Sequence, residues 1–148
     1  MKESELKAFI KIVTEYFESI TGIAAKMGLP FIKDESTGVF DFTGIIGVSG
    51  ARKGGVYFTA PKELLYEFGG YLLEGDKVED DDLYDLIGEM TNTISGNMRE
   101  FFGTTFLISV PIVLKGQVEN IDMRLNPPVF IIPIEWQYND CHLAIGLE

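Results

Sequence analysis

Glu89 and Asn92 stand three residues apart in the segment Asp85-Leu86-Ile87-Gly88-Glu89-Met90-Thr91-Asn92. If that segment is helical, the carboxylate and the carboxamide lie one turn apart on the same face. A carboxylate accepts hydrogen bonds or pairs with a cation, and a carboxamide both donates and accepts. Gly88 and Gly96 flank the pair, although each glycine inside a helix costs about 1 kcal/mol relative to alanine. The two polar groups would therefore project from a low, bare ridge that another backbone can approach closely. Polar residues opposite a core are also what any solvated helix shows, and Gly88 would equally suit a crossing helix or strand. The spacing alone names no activity.

Other candidates have less behind them. His142 is the only histidine, and it lacks the spaced companions of a zinc site. No nucleophile elbow supports a Ser–His–Asp arrangement. The glycines at 44, 47, 50, 54 and 55 do not open a helix after a strand, so they read as strand bends and a hairpin turn rather than a phosphate cradle. The acidic run 76–82 lacks the alternating ligands and terminal Glu of a calcium loop. No metal site is predicted, and Trp136 and the aromatic-rich runs read as core.

The ridge needs elements to hold it. Leu6, Phe9, Ile10, Val13, Phe17 and Ile20 recur at helical spacing and predict a helix over 5–21, ended by Gly22. β-rich runs over 39–49 and 54–59 follow, joined by a turn at Ser49-Gly50-Ala51-Arg52. Pro61 opens a second helix with Leu64, Leu65, Phe68, Tyr71 and Leu72 on one face and Gly75 past its end. Asp80, Asp81 and Asp82 are placed to cap a third helix over 82–102. Its predicted core stripe is Leu86, Ile87, Met90, Ile94, Met98 and Phe101. The opposite stripe is Asp85, Gly88, Glu89, Asn92, Gly96 and Arg99. Further β-rich runs cover 105–115, 128–138 and 141–147, with a turn at Tyr138-Asn139-Asp140-Cys141.

Gly22 and Gly103 lie 81 residues apart, as do Pro30 and Pro111. Each pair of landmarks is followed by a β-rich hairpin. The expected fold is α+β, in which two related α–β halves form one antiparallel sheet with helices packed on a face.

At 148 residues and 46% hydrophobic, the chain suits a single domain over 1–148 with one core. Its formal net charge of −11 disfavours nucleic acid and anionic membrane as partners and leaves room for a basic protein surface. No apolar run approaches the roughly 20 residues of a spanning helix. The acidic, polar start lacks the pattern of a secretory signal. The single Cys141 suits a reducing compartment, so a cytoplasmic location is expected.

Asp85, Glu89 and Asn92, with Gly96 four residues on and Pro111 leading Val113-Leu114-Lys115-Gly116, resemble the signature of the CheC/CheX/FliY family of response-regulator phosphatases. The family usually has Gly immediately before the Asn, where this chain has Thr91. Thr91 is expected to point off the ridge toward the helix flank. A shift of 81 residues puts Ala8 and Lys11 opposite Glu89 and Asn92, so a second motif copy is absent, which is the CheX pattern.

The resemblance implies hydrolysis of the aspartyl phosphate of a phosphorylated CheY-like receiver. Asn92 would orient the attacking water, and Glu89 would pair with the receiver's active-site lysine. Asp85, Gly88, Gly96 and Arg99 would contact the partner. It also implies no cofactor of the chain's own, Mg²⁺ held in the receiver substrate, a chemotaxis context and a homodimer paired through sheet edges. A non-catalytic receiver-binding or flagellar-switch-like assembly module is the alternative.

Overall fold

The computed structural model describes residues 1–116 and 128–148. Helix α1 (Glu3–Thr21) leads into two short strands, β1 (Lys26–Met27) and β2 (Phe31–Ile32). The hairpin β3 (Phe42–Gly50) and β4 (Gly54–Ala60) is followed by α2 (Lys62–Leu72) and α3 (Asp82–Asn97). The single turn α4 (Arg99–Phe102) precedes β5 (Phe106–Ile108), β6 (Ile112–Lys115), β7 (Phe130–Trp136) and β8 (Asn139–Leu147).

All strand pairs are antiparallel and join one sheet in the order β1-β7-β8-β4-β3-β5, with β2 also on β7 and β6 also on β3. With β1, β2, β3 and β4 matched to β5, β6, β7 and β8, the order is the same read from either end, so the two halves are arranged about a pseudo-twofold axis between β4 and β8. The landmarks that hinted at duplication have matching jobs. Gly22 and Gly103 both carry positive φ (75° and 92°), and their N–H groups donate to Glu18 O and Arg99 O, each at 2.8 Å. A glycine is favoured there because a Cβ strains that backbone.

Pro30 and Pro111 also correspond. Between Val48↔Ile108 and Ile45↔Ile112, two residues of β3 face the three residues Ser109, Val110 and Pro111. Between Met27↔Ile134 and Phe31↔Ile131, two residues of β7 face Gly28, Leu29 and Pro30. Each edge is therefore broken by a one-residue bulge that ends in proline, which has no N–H to give the ladder. The run expected over 105–115 is in fact β5, bulge, β6.

The helices cover one face of the sheet. Phe9, Val13 and Phe17 of α1, Leu64, Leu65 and Phe68 of α2, and Ile87, Met90 and Ile94 of α3 are fully buried there against Val56, Phe58, Leu143 and Trp136. The opposite face carries a smaller cluster of Tyr57, Ile131 and Ala144 with Val39, Ile45 and Val129.

Four expectations change. The third helix stops at Asn97 and restarts as α4, because the Met98 N–H donates to Ser95 O in a tightened turn. That break turns Phe101 outward, 49% exposed rather than core, while Met98 stays buried. The start of α3 has no side-chain cap. Asp81 holds the cap position in a helical conformation, and Asp82 Oδ2 instead accepts from Glu79 N at 2.8 Å. The last hairpin turns two residues earlier than predicted, at Gln137 and Tyr138, whose φ of 50° and 65° fit a two-residue hairpin loop between Trp136 and Asn139.

Candidate functional site

Helix α3 lies along β3, and glycine sets how closely. A Cβ built at Gly44 would run into Thr91 and stand 3.0 Å from Ile87 O. Thr91 is fully buried at this crossing, and its Oγ1 donates back to Ile87 O at 2.7 Å, which satisfies the hydroxyl. The threonine thus faces the sheet and leaves the outer ridge untouched. Downstream, a Cβ at Gly88 would meet Val113 Cγ2 at 3.3 Å and Pro111 Cγ at 3.7 Å. The chain that comes close at Gly88 is the protein's own edge, and Gly88 is buried.

Between α3 and the bulged edge runs a groove of about 780 Å³. Asp85, Gly88, Glu89 and Asn92 form its helical wall together with Tyr84 and Thr93; Ile108 to Pro111 and Val113 form the other. Asp85, Glu89 and Asn92 are exposed, and among the described residues the Asn92 side chain makes no hydrogen bond. Tyr84 is fixed by an edge-on contact with the Phe42 ring, centroids 5.6 Å apart. Asp85 and Glu89 also border a second depression of about 260 Å³ toward α2, lined by Gly69, Leu72 and Val78, so the two carboxylates stand on a crest. Burial, and then the Glu89 carboxylate, push the phenol of Tyr16 on α1 well above its ordinary range.

Two residues expected at the site stand apart from the groove. Gly96 is half-buried, and a Cβ there would make only an ordinary contact with Ile108 Cδ1 at 3.8 Å. Arg99 sits beyond the helix break in α4, and its Nε donates to Phe106 O at 3.0 Å. The strand-side wall, above all Ser109 and Val110, was not picked out from sequence. Its only trace was Pro111 interrupting a β-rich run.

His142 lies elsewhere, on β8 among Phe40, Phe31 and Tyr57 on the sheet face opposite the helices. Burial lowers its pKa to about 4, and among the described residues its Nε2 has no hydrogen-bond partner. Among the described residues, no helix is long and apolar enough to cross a membrane.

The geometry has counterparts in known proteins. A search of curated proteins finds no match. Among solved structures, a CheC-like superfamily protein from Shewanella sp. PV-4 is 26% identical, with 100% of this chain and 99% of that chain covered and a TM-score of 0.85. The chemotaxis protein CheX from Vibrio vulnificus shares the fold at a TM-score of 0.86 and 24% identity, covering 98% of this chain and 99% of its own. So does CheX in its complex with CheY, BeF3 and Mg²⁺ from Borrelia burgdorferi, at a TM-score of 0.78 and 16% identity, with 97% of each chain covered. Residues 42–135, which contain α3, the bulge and the central hairpin, match the family model described as chemotaxis phosphatase CheX. With the β3–β4 hairpin, the helical ridge and the bulged β5–β6 edge all lying in that matched span, this chain belongs to the CheX family.

Proposed function

We propose that this protein hydrolyses the aspartyl phosphate of a phosphorylated CheY-like receiver, and that Asn92 and Glu89 carry the activity. The observation that carries this reading is the pairing of an exposed carboxamide and carboxylate on one wall of an open groove, in a chain of the CheX family. The solved relative from Borrelia burgdorferi is bound to CheY with BeF3 and Mg²⁺. The receiver brings both the acyl phosphate and its Mg²⁺, so this chain has to supply position rather than metal or nucleophile. Asn92 holds a water in line with phosphorus. The water oxygen bonds to phosphorus as the bond to the aspartyl oxygen breaks, leaving a free carboxylate and inorganic phosphate, and the water's proton passes to phosphate or solvent. Glu89 pairs with the receiver's lysine and so fixes the angle at which α3 enters. Asp85, Gly88, Gly96 and Arg99 border the contact.

The test is phosphate release from a panel of CheY receivers phosphorylated with acetyl phosphate, with and without this protein. No acceleration on any of them would dispose of the reading. Chemotaxis signalling in the cytoplasm is the setting that such a substrate implies.

Gly96 gives a second check. Gly96→Ala should be neutral or stabilising by up to about 1 kcal/mol, since the added methyl meets only Ile108 at ordinary distance. Gly96→Leu reaches out over the docking face and should raise KM for the receiver several-fold without lowering the melting temperature. Full activity in the leucine variant would remove Gly96 from the contact.

We also propose that the protein forms a homodimer by pairing sheet edges. Both edges are short and bulged and carry exposed apolar side chains, Phe31 and Ile32 on β2 and Leu107 and Ile112 on β5 and β6. Sedimentation at micromolar concentration should give a mass near two chains. A mass near one chain rejects the dimer.

A further inference from the structure

We propose that Val110, on the bulge between β5 and β6, is the apolar anchor that selects the receiver, acting across the groove from Asp85 and Glu89; this rests on the phosphatase reading above. Val110 is 84% exposed and lines the same groove as Asn92. Its backbone is held in place. The Gly47 N–H donates to Ser109 Oγ at 2.8 Å, the Ser109 N–H donates to Gly47 O at 2.9 Å, and Ser109 Oγ donates to Val110 O at 3.1 Å. An exposed apolar side chain on a fixed backbone loses little entropy when a partner covers it.

The opposite wall supplies the charge. Among the described residues, Asp85 and Glu89 line the groove and no Lys or Arg does, in a chain of net charge −11. The surface that fits is one with a basic group for the carboxylates and, beside it, an apolar patch for Val110. A receiver chosen by this groove therefore carries both next to its phosphorylated aspartate.

The duplicated half provides an internal control. Its bulge carries Leu29, 89% exposed at the position equivalent to Val110. The helix in that half has Ala8 and Lys11 where α3 has Glu89 and Asn92. Val110→Asp and Leu29→Asp thus make the same charge change at matching bulges, only one of which borders the groove.

The experiment measures steady-state phosphate release with an acetyl-phosphate-phosphorylated CheY receiver, together with the melting temperature and sedimentation mass of each variant. Val110→Asp should raise KM at least tenfold with the effect falling on KM rather than kcat, while Leu29→Asp stays within twofold of the unsubstituted protein. Val110→Ser, which adds no charge, should raise KM about threefold and serves if the aspartate variant is poorly folded. A KM within twofold for both Val110 variants overturns the proposal, and so does an equal rise in the Val110→Asp and Leu29→Asp proteins. A changed sedimentation mass on substituting Val110 would assign the bulge to a contact between copies and overturn it as well. If the unsubstituted protein accelerates no receiver's dephosphorylation, the phosphatase reading itself has failed and this proposal goes with it. That failure shows in the parent protein, and the others show only in the variants.

Discussion

Asn92→Ala is expected to lower receiver dephosphorylation by roughly 10²-fold or more, to the rate of the receiver alone, while leaving the melting temperature unchanged or slightly higher. The size follows from the role proposed for the side chain, because losing the group that fixes one reacting molecule forfeits most of the positioning advantage. The stability side follows from what Asn92 touches. The side chain is exposed, makes no hydrogen bond among the described residues, and stands on a helix where alanine is the better former by up to about 0.7 kcal/mol. Rate and stability should therefore separate cleanly. Retained activity in a folded variant would take Asn92 out of the mechanism and leave Glu89 as an anchor without a reaction. Comparing receiver affinity in the same variant sharpens the result. Binding that survives while turnover disappears points to water placement, whereas loss of both points to docking alone.

The second large effect is structural and falls on the crossing of α3 and β3. Gly44→Ala should destabilise the protein by about 1–3 kcal/mol, because the new methyl overlaps Thr91 and crowds Ile87 O within a fully buried contact. Removing the threonine side chain should relieve most of that. Thr91→Gly alone gives up a few tenths of a kcal/mol in helix propensity and leaves a small void. In the double variant the alanine methyl occupies the space that Thr91 vacated. Urea unfolding of the four proteins in the cycle should show a favourable coupling of at least about 1 kcal/mol. Additive costs would mean that the helix simply lifts away from the strand and that the two residues are not complementary. The crossing also sets the height of the ridge above the sheet, so Gly44→Ala should depress activity as well as stability, and the double variant should recover both.

That crossing shows what a sequence leaves open. The CheC/CheX/FliY resemblance usually has a Gly where this chain has Thr91, and nothing local to α3 explains the exchange. The explanation is on another strand, 47 positions away, where Gly44 leaves the space that the threonine fills. Helix periodicity assigns a side of the helix, but it does not say which strand lies beneath or how near.

The helices themselves were legible because their apolar residues recur at the helical period. Phe9, Val13, Phe17, Leu64, Leu65, Phe68, Ile87, Met90 and Ile94 all face the core as that period requires. The pairing of Glu89 with Asn92 was legible for the same reason, since three residues along a helix fix a distance without help from the rest of the chain. Even the duplication left a trace, in two glycines that end helices with positive φ and two prolines that close bulges. Phe101 was misplaced because the turn at Met98 resets the helical phase, and phase is a property of unbroken hydrogen bonding rather than of residue type.

The opposite wall of the groove was not legible. Ser109, Val110 and Pro111 read as part of one β-rich run. What makes them a bulge is the pairing of Ile108 with Val48 on one side and of Ile112 with Ile45 on the other. Register between strands so far apart in the chain is fixed only when the sheet closes and its apolar face meets the helices. The sequence determined which residues of α3 point outward and in what order. The tertiary structure decided that they overlook a groove, because only the assembled sheet carries its bulged edge up beside that helix.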